Sequence, residues 1–189
     1  QGKTIAEALP AIRNKPEDFR FGVSALGSPN HLAVLEFNKL SGLNLQVIPY
    51  RGSAPALTDL VSGQVQLMID PIITALPLVQ AGQLRALAVA SARRSSVLPD
   101  VPTAAESGLA GLEFSSWYGL WGPKDLPKEI VARANAVLTE ATREPAVVER
   151  LAALGFEPVS STPQEFADLI AKDLARNTAL LSAIKFEPQ

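Results

Sequence analysis

Two glycine–serine pairs in this sequence each lie just before a predicted helix. Gly27 and Ser28 form the first pair, and Gly52 and Ser53 form the second. The start of a helix leaves backbone N–H groups without intrahelical partners and carries about half a positive charge. Glycine permits close approach of a ligand, so the two pairs could together hold a carboxylate. Serine at this position is also the ordinary capping residue of a helix, and the pattern leaves both interpretations open.

Four other polar residues near these pairs could add hydrogen bonds to a ligand. His31 is a capping or packing histidine or a ligand contact; a general base is disfavoured because no nucleophile elbow or paired carboxylate accompanies it. Tyr50 is either a residue at the edge of the core or a residue whose phenol donates a hydrogen bond into a cleft. Asp70 either caps the next turn or fixes a water or an amine of the ligand. The predicted ligand-binding set is Ser24, Gly27, Ser28, His31, Tyr50, Gly52, Ser53 and Asp70.

The composition excludes several kinds of chemistry. The chain has no cysteine and one histidine, which excludes disulfides, thiol catalysis and a histidine-rich metal site. Lysine and arginine are scattered and the formal net charge is −2, so we expect no basic surface for nucleic acid. No apolar run reaches about 18 residues, the length expected of a membrane span. We therefore expect no metal, no cofactor and no nucleic-acid partner.

Predicted strands and helices alternate through the first half of the chain. Strands are predicted over 19–25, 43–50, 65–71 and 84–91, helices over 4–13, 31–41 and 54–62, and a helix or helical turn over 73–81. Thr4 and Glu7 have the spacing of a capping box. The short connections favour right-handed βαβ units and an open parallel sheet. Because ligands bind beyond the carboxyl ends of such strands, we expect the polar residues to meet there.

The second half of the chain is predicted to be mainly helical. Helices are predicted over 126–142, 144–155 and 163–183, with short strands over 115–123 and 156–160. Thr162 and Glu165 have the spacing of a second capping box. Trp117 and Trp121 are expected to pack as core residues or, less favoured, to line the cleft.

The segments PYRGSAPALTDL, RALAV, LPDVPT and GLEFSSWYGLWGP, in this order and spacing, resemble the periplasmic solute-binding proteins of tripartite tricarboxylate transporters, the Bug family. The resemblance covers nearly the whole chain. It implies an α/β fold of the type II periplasmic-binding-protein class, a two-lobed clamshell that closes on a small carboxylate. It also implies a periplasmic location, a signal peptide outside this chain, and delivery to the membrane subunits of the transporter. Dicarboxylates, tricarboxylates, acidic amino acids and aromatic acids are the ligands implied.

The sequence also departs from the family pattern. Leu26, Pro29 and Asn30 differ from the usual first loop, Arg51 stands where lysine is common, and Pro71 replaces a frequent asparagine. The opening strand and glycine-rich loop of the family are not in the sequence. The resemblance therefore implies a second lobe over 1–114 and a segment over 115–189 that returns to a first lobe without its N-terminal part. We expect the apolar helix faces of that segment to be covered in a homodimer or swapped assembly.

Two other classes of protein share this predicted architecture. The effector-sensing domain of a transcriptional regulator would need a DNA-binding helix pair outside this sequence. An esterase or amidase would need a nucleophile elbow, which the sequence lacks. We therefore predict a binding protein and not an enzyme.

Overall fold

A three-stranded parallel sheet forms the centre of the fold in a computed structural model that describes residues 2–183. The strands are β1 (Arg20–Val23), β2 (Gln46–Pro49) and β3 (Leu67–Met68). β1 lies in the middle, and its Phe21 is in register with Val47 of β2 and Leu67 of β3. The predicted parallel sheet is thereby confirmed. The strands are shorter than predicted; after β3, for example, the carbonyl of Ile69 accepts from the side chain of Asn30.

Seven α-helices and one 3-10 turn occur within residues 2–183. The helices are α1 (Ile5–Asn14), α2 (Pro29–Ser41), α3 (Ser53–Ser62), α4 (Ile72–Gln80), α5 (Lys128–Ala141), α6 (Pro145–Ala153) and α7 (Pro163–Ala183), and the turn is Pro16–Asp18. Gly42 and Gly63 end α2 and α3 in the left-handed conformation, with φ of 69° and 81°, which residues with a side chain rarely adopt. All seven helices were predicted.

Capping side chains fix the starts of α1 and α7. Thr4 Oγ1 accepts from the N–H of Glu7 at 3.3 Å, whereas the Glu7 carboxylate accepts from the N–H of Lys3 at 2.7 Å, one residue earlier than in an ideal capping box. At α7 both bonds of the box form. The N–H of Thr162 donates to Glu165 Oε2 at 2.7 Å, and the N–H of Glu165 donates to Thr162 Oγ1 at 3.2 Å.

The hydrophobic core lies entirely in the first part of the chain. Its buried members are Ile5, Leu9, Ile12, Phe21, Val23, Val34, Phe37, Leu45, Leu67, Ala104, Leu109 and Leu112. Phe21 and Phe37 meet edge to face, with ring centroids 5.1 Å apart. From residue 113 to residue 182 the structure buries no side chain. Large apolar side chains are instead exposed there, including Tyr118, Trp121, Val159 and Leu174.

The strand predicted over 84–91 does not form. Only Val89 makes a bridge, a parallel one with Thr103. The neighbouring backbone groups bond to other segments: the carbonyl of Leu87 accepts from the first residue of α1 at 3.0 Å, and that of Ala90 accepts from Phe114 at 2.9 Å. Because three separate segments share these groups, no continuous ladder can develop.

The strands predicted over 115–123 and 156–160 are also absent. Their aromatic side chains pack on one another and on α7 rather than on a sheet face. Trp117 donates its indole N–H to Asp173 at 2.6 Å and meets the Phe166 ring edge to face, with centroids 5.2 Å apart. Tyr118 meets Phe156 in the same way at 5.3 Å.

The division into 1–114 and 115–189 stays a prediction, and residues 184–189 lie outside the described part. One clear link between the two segments is Arg176 of α7, which donates to the carbonyl of Glu113 at 2.7 Å and lies 4.1 Å above the Phe114 ring. Within residues 2–183, every helix is too short or too polar to cross a bilayer.

Candidate ligand-binding rim

The loop after β1 is arranged around the capping serine of α2. Ser28 Oγ accepts from the N–H of His31 at 3.3 Å and donates to the carbonyl of Ala25 at 2.7 Å. Ser24 Oγ lies 3.4 Å from Ser28 Oγ. Pro29, the first helical residue, has no N–H to offer. Ser28 therefore has the capping role, and the amide of Asn30 is the one in this turn that helix geometry leaves open.

His31 is buried, with 5% of its surface exposed, and its side chain folds back on the same loop. Nδ1 accepts from the N–H of Gly27 at 3.0 Å, which requires the proton of the neutral ring to be on Nε2. Burial lowers the pKa of His31, because the charged form is disfavoured away from water. His31 thus fixes the backbone of its own loop and engages the amide of Gly27. Contact of His31 with a ligand stays a prediction.

The start of α3 differs from that of α2, because no side chain within residues 2–183 caps it. Gly52 has a φ of 106° and donates its N–H to the carbonyl of Ser24 at 2.8 Å, which joins the second loop to the first. Apart from its own chain neighbours, no heavy atom of residues 2–183 lies within 4 Å of the place where a Cβ of Gly52 would stand. The N–H groups of Ser53 and Ala54, in the first turn, have no intrahelical acceptor.

Asp70, just after β3, connects the first turns of three helices. Its Oδ1 accepts from the side-chain amide of Asn30 in α2 and from Ser53 Oγ in α3, the latter at 2.8 Å. Its Oδ2 contacts Thr74 Oγ1 in α4, whose single hydroxyl proton is shared between Asp70 and the carbonyl of Pro71, 2.6 Å away. Asn30 also donates to the carbonyl of Ile69 at 2.8 Å. Asn30 and Thr74 are absent from the predicted set, although Thr74 lies four residues after Asp70, within reach of a helix-capping carboxylate.

Tyr50 is in the second loop, but its hydroxyl bonds elsewhere. It donates to Asp59 Oδ2 at 2.8 Å, further along α3. The ring lies beside Gly22 of β1, where a Cβ would be 3.4 Å from Tyr50 Cε2. Desolvation, and next the hydrogen bond to Asp59, raise the pKa of Tyr50. The phenol is therefore directed along α3 and does not join the Asp70 network.

We call the segments 24–31, 50–54 and 70–74 together the strand-end rim. The Ser24–Gly52 and Ser53–Asp70 hydrogen bonds bring seven of the eight predicted residues into one connected arrangement. Tyr50 belongs to the rim by position only. Direct contact of these residues with a ligand stays a prediction.

The connection between α6 and α7 touches the rim at α4. Gly155 has a φ of 80°, and a Cβ there would lie 2.8 Å from Ile72 Cγ2, in the first turn of α4. Next to it, Arg93 pairs with Glu157 at 2.6 Å, with both side chains exposed. The backbone at Gly155 is thus a close neighbour of the rim.

The parallel sheet and the helix starts gathered at its carboxyl edge define an α/β lobe of the periplasmic-binding-protein class. The sequence profile of the tripartite tricarboxylate transporter family receptors matches residues 2–186. The chain belongs to this receptor family, also called the Bug family, which is a class of solute-binding proteins.

Relatives with curated names or solved structures agree with this assignment. BugT of Bordetella pertussis is 38% identical over 168 residues, which cover 89% of this chain and 52% of BugT. The structure of Rpa4515 of R. palustris with adipate has a TM-score of 0.91 and 34% identity, and covers 100% of this chain and 63% of that one. MatC of Rhodopseudomonas palustris with bound malate has a TM-score of 0.79 and 31% identity, and covers 95% of this chain and 62% of MatC.

The chain spans about half the length of the curated relatives it matches: it covers between 50% and 52% of BugT and of two other relatives. The ligands in the two solved structures are those of the relatives. For this chain, the ligand and the partners are the subject of the proposals that follow.

Proposed function

We propose that this protein binds a small carboxylate outside the cytoplasm, in the periplasm, and delivers it to the membrane subunits of a tripartite tricarboxylate transporter. Membership of the receptor family supports this, as do relatives solved with adipate and malate. The observation that carries the proposal is the uncapped start of α3, which is hydrogen-bonded to both neighbouring loops. No catalytic role is proposed, in keeping with the solute-binding class of the family.

The N–H groups of Ser53 and Ala54 are the donors that we propose for the carboxylate. A hydrogen bond to a charged group contributes about 1.5–3 kcal/mol, so two contribute about 3–6 kcal/mol. Micromolar affinity requires about 8 kcal/mol. The remainder has to come from groups outside this pair, which agrees with a clamshell in which a second lobe closes over the ligand. Dicarboxylates, tricarboxylates, acidic amino acids and aromatic acids all remain candidate ligands.

We also propose that the exposed apolar side chains of the C-terminal helices are covered by a second copy of this chain when it is isolated. Leu174 of α7 is 66% exposed and Ile130 of α5 is 49% exposed. Large exposed apolar surfaces are typical of protein interfaces. A homodimer or swapped assembly would bury them.

A thermal-shift screen tests the carboxylate proposal on the complete gene product. Adipate, malate, aspartate and benzoate are the probes, and the uncharged amides of adipate and malate are the controls. A ligand at 100 times its Kd should add about 2.7 kcal/mol to the free energy of unfolding. We expect at least one acid to raise Tm and its amide to leave Tm unchanged. Equal shifts with acid and amide, or none with any acid tested, would count against carboxylate binding.

A further inference from the structure

We propose that Asp70 is a positioning residue: its carboxylate fixes the first turns of α2, α3 and α4 and thereby aims the N–H groups of Ser53 and Ala54 at the ligand. This inference rests on the proposed carboxylate binding at α3. It assigns Asp70 no contact with the ligand.

Both oxygens of the Asp70 carboxylate already have donors from the protein. Oδ1 accepts from Asn30 and from Ser53, and Oδ2 accepts from Thr74. Hydrogen bonds to an ionised acceptor are stronger and shorter than those between neutral groups. Each of the three donors belongs to the first turn of a different helix, so one side chain sets the relative placement of three helix starts.

The same contacts argue against direct binding of a ligand by Asp70. An amine of the ligand would have to displace Ser53 or Thr74, or share an oxygen that is already bonded. The three protein donors occupy the Asp70 carboxylate, and the uncapped amides of α3 remain for the anionic group of the ligand.

The network is also separate from the groups that hold the fold together. Asp70 is half-buried, and Thr74 is exposed. The buried core consists of apolar side chains such as Phe21 and Phe37. Removing the Asp70 carboxylate should therefore loosen the helix starts without unfolding the sheet.

The test compares substitutions at Asp70 with charge-matched and residue-matched controls in the complete gene product. Asp70→Ala removes every acceptor, whereas Asp70→Asn keeps an oxygen for Asn30 and Ser53. Asp59→Asn, on α3, removes an equal charge outside the network. Thr74→Val removes one donor, and its control is Thr58→Val, whose hydroxyl bonds only to the carbonyl of Ala54 in its own helix.

Isothermal titration with adipate, malate and aspartate gives the first readout. We expect Asp70→Ala to weaken binding of every acid that binds by at least about tenfold, which equals about 1.4 kcal/mol. Asp70→Asn should restore part of this loss, and Thr74→Val should give a smaller loss. Both controls should stay within about twofold of the unsubstituted protein, a change of about 0.4 kcal/mol. Amide hydrogen exchange gives the second readout: it should quicken at the first intrahelical hydrogen bonds of α2, α3 and α4, such as that of Leu32, and stay unchanged in β1.

Each result bears on the inference in a defined way. Loss of affinity for aspartate alone would show that Asp70 contacts the amine of that ligand. Unchanged affinity for all acids would show that Asp70 does not position the helix starts. Either result overturns the inference and leaves carboxylate binding intact. If the unsubstituted protein binds none of these three acids, the acid that raises Tm most in the thermal-shift screen takes their place. If no acid raises Tm, the proposed function fails, and the exchange pattern alone decides the role of Asp70. If Asp70→Ala does not fold, Thr74→Val against Thr58→Val decides it.

Discussion

Replacing Ser53 with proline removes a single N–H from the start of α3 and leaves the helix able to form. Ser53 is the first helical residue, the position at which proline is best tolerated because its N–H has no intrahelical acceptor. The residue before a proline is restricted to extended ψ values, and Gly52 already has a ψ of 170°. The change should therefore affect the ligand far more than the fold.

The size of the effect follows from the bonds that are lost. A charge-assisted hydrogen bond contributes about 1.5–3 kcal/mol, which corresponds to about a 10- to 150-fold change in Kd. Proline also removes the Ser53 hydroxyl and its bond to Asp70. Ser53→Ala is the matched control, because it removes the hydroxyl and keeps the N–H. We expect the Kd of Ser53→Pro to exceed that of Ser53→Ala by at least about tenfold, or about 1.4 kcal/mol.

Isothermal titration of the complete gene product with adipate, or with whichever acid raises Tm most, measures this ratio. Circular dichroism melting of both variants checks that the fold is retained. Equal Kd values for the proline and alanine variants, with similar Tm, would show that the Ser53 amide does not hold the ligand. The reasoning from the uncapped helix start would then be wrong.

Two other expectations concern pH and self-association. Because burial lowers the pKa of His31 below its ordinary value of about 6.5, the unfolded chain binds the proton first as pH falls. Stability should therefore decrease as pH drops from 6.5 toward the folded pKa, and His31→Asn should flatten this dependence in urea titrations between about pH 5 and pH 8. Light scattering of the isolated 20.0 kDa chain should give a mass near twice that value at high concentration. Leu174→Glu should lower the mass and the control Val61→Glu, on α3, should not; a monomer at every concentration would contradict the proposed contact.

The elements governed by neighbouring residues could be predicted from the sequence. The capping serine of α2, the Thr162–Glu165 box of α7 and the glycines that end α2 and α3 all act within one turn of the chain. The parallel sheet followed from the alternation of short strands and helices. Such features depend on local backbone geometry, which residue types at fixed spacing determine.

The features that could not be predicted depend on distant partners. Asn30 bonds to Asp70, 40 residues later, and no pattern near Asn30 indicates that contact. The segment 84–91 has the apolar composition of a strand, but its backbone groups bond to three remote segments. Tyr50 is at the predicted strand end, yet its hydroxyl donates to Asp59, further along α3, and does not join the hydrogen-bond network of the rim. The direction of a side chain is set by the packing around it, and the position of the residue in the sequence does not specify that packing.

The contact at Gly155 makes the spacing between the C-terminal helices and α4 depend on the absence of a methyl group. Any other residue there would meet Ile72 at 2.8 Å and would also have to adopt a φ of 80°. It would displace the α6–α7 connection outward from the first turn of α4, two residues past Asp70. Here the main chain of Gly155 lies against the side chain of Ile72, so a larger residue at position 155 would increase the distance between the α6–α7 connection and the strand-end rim.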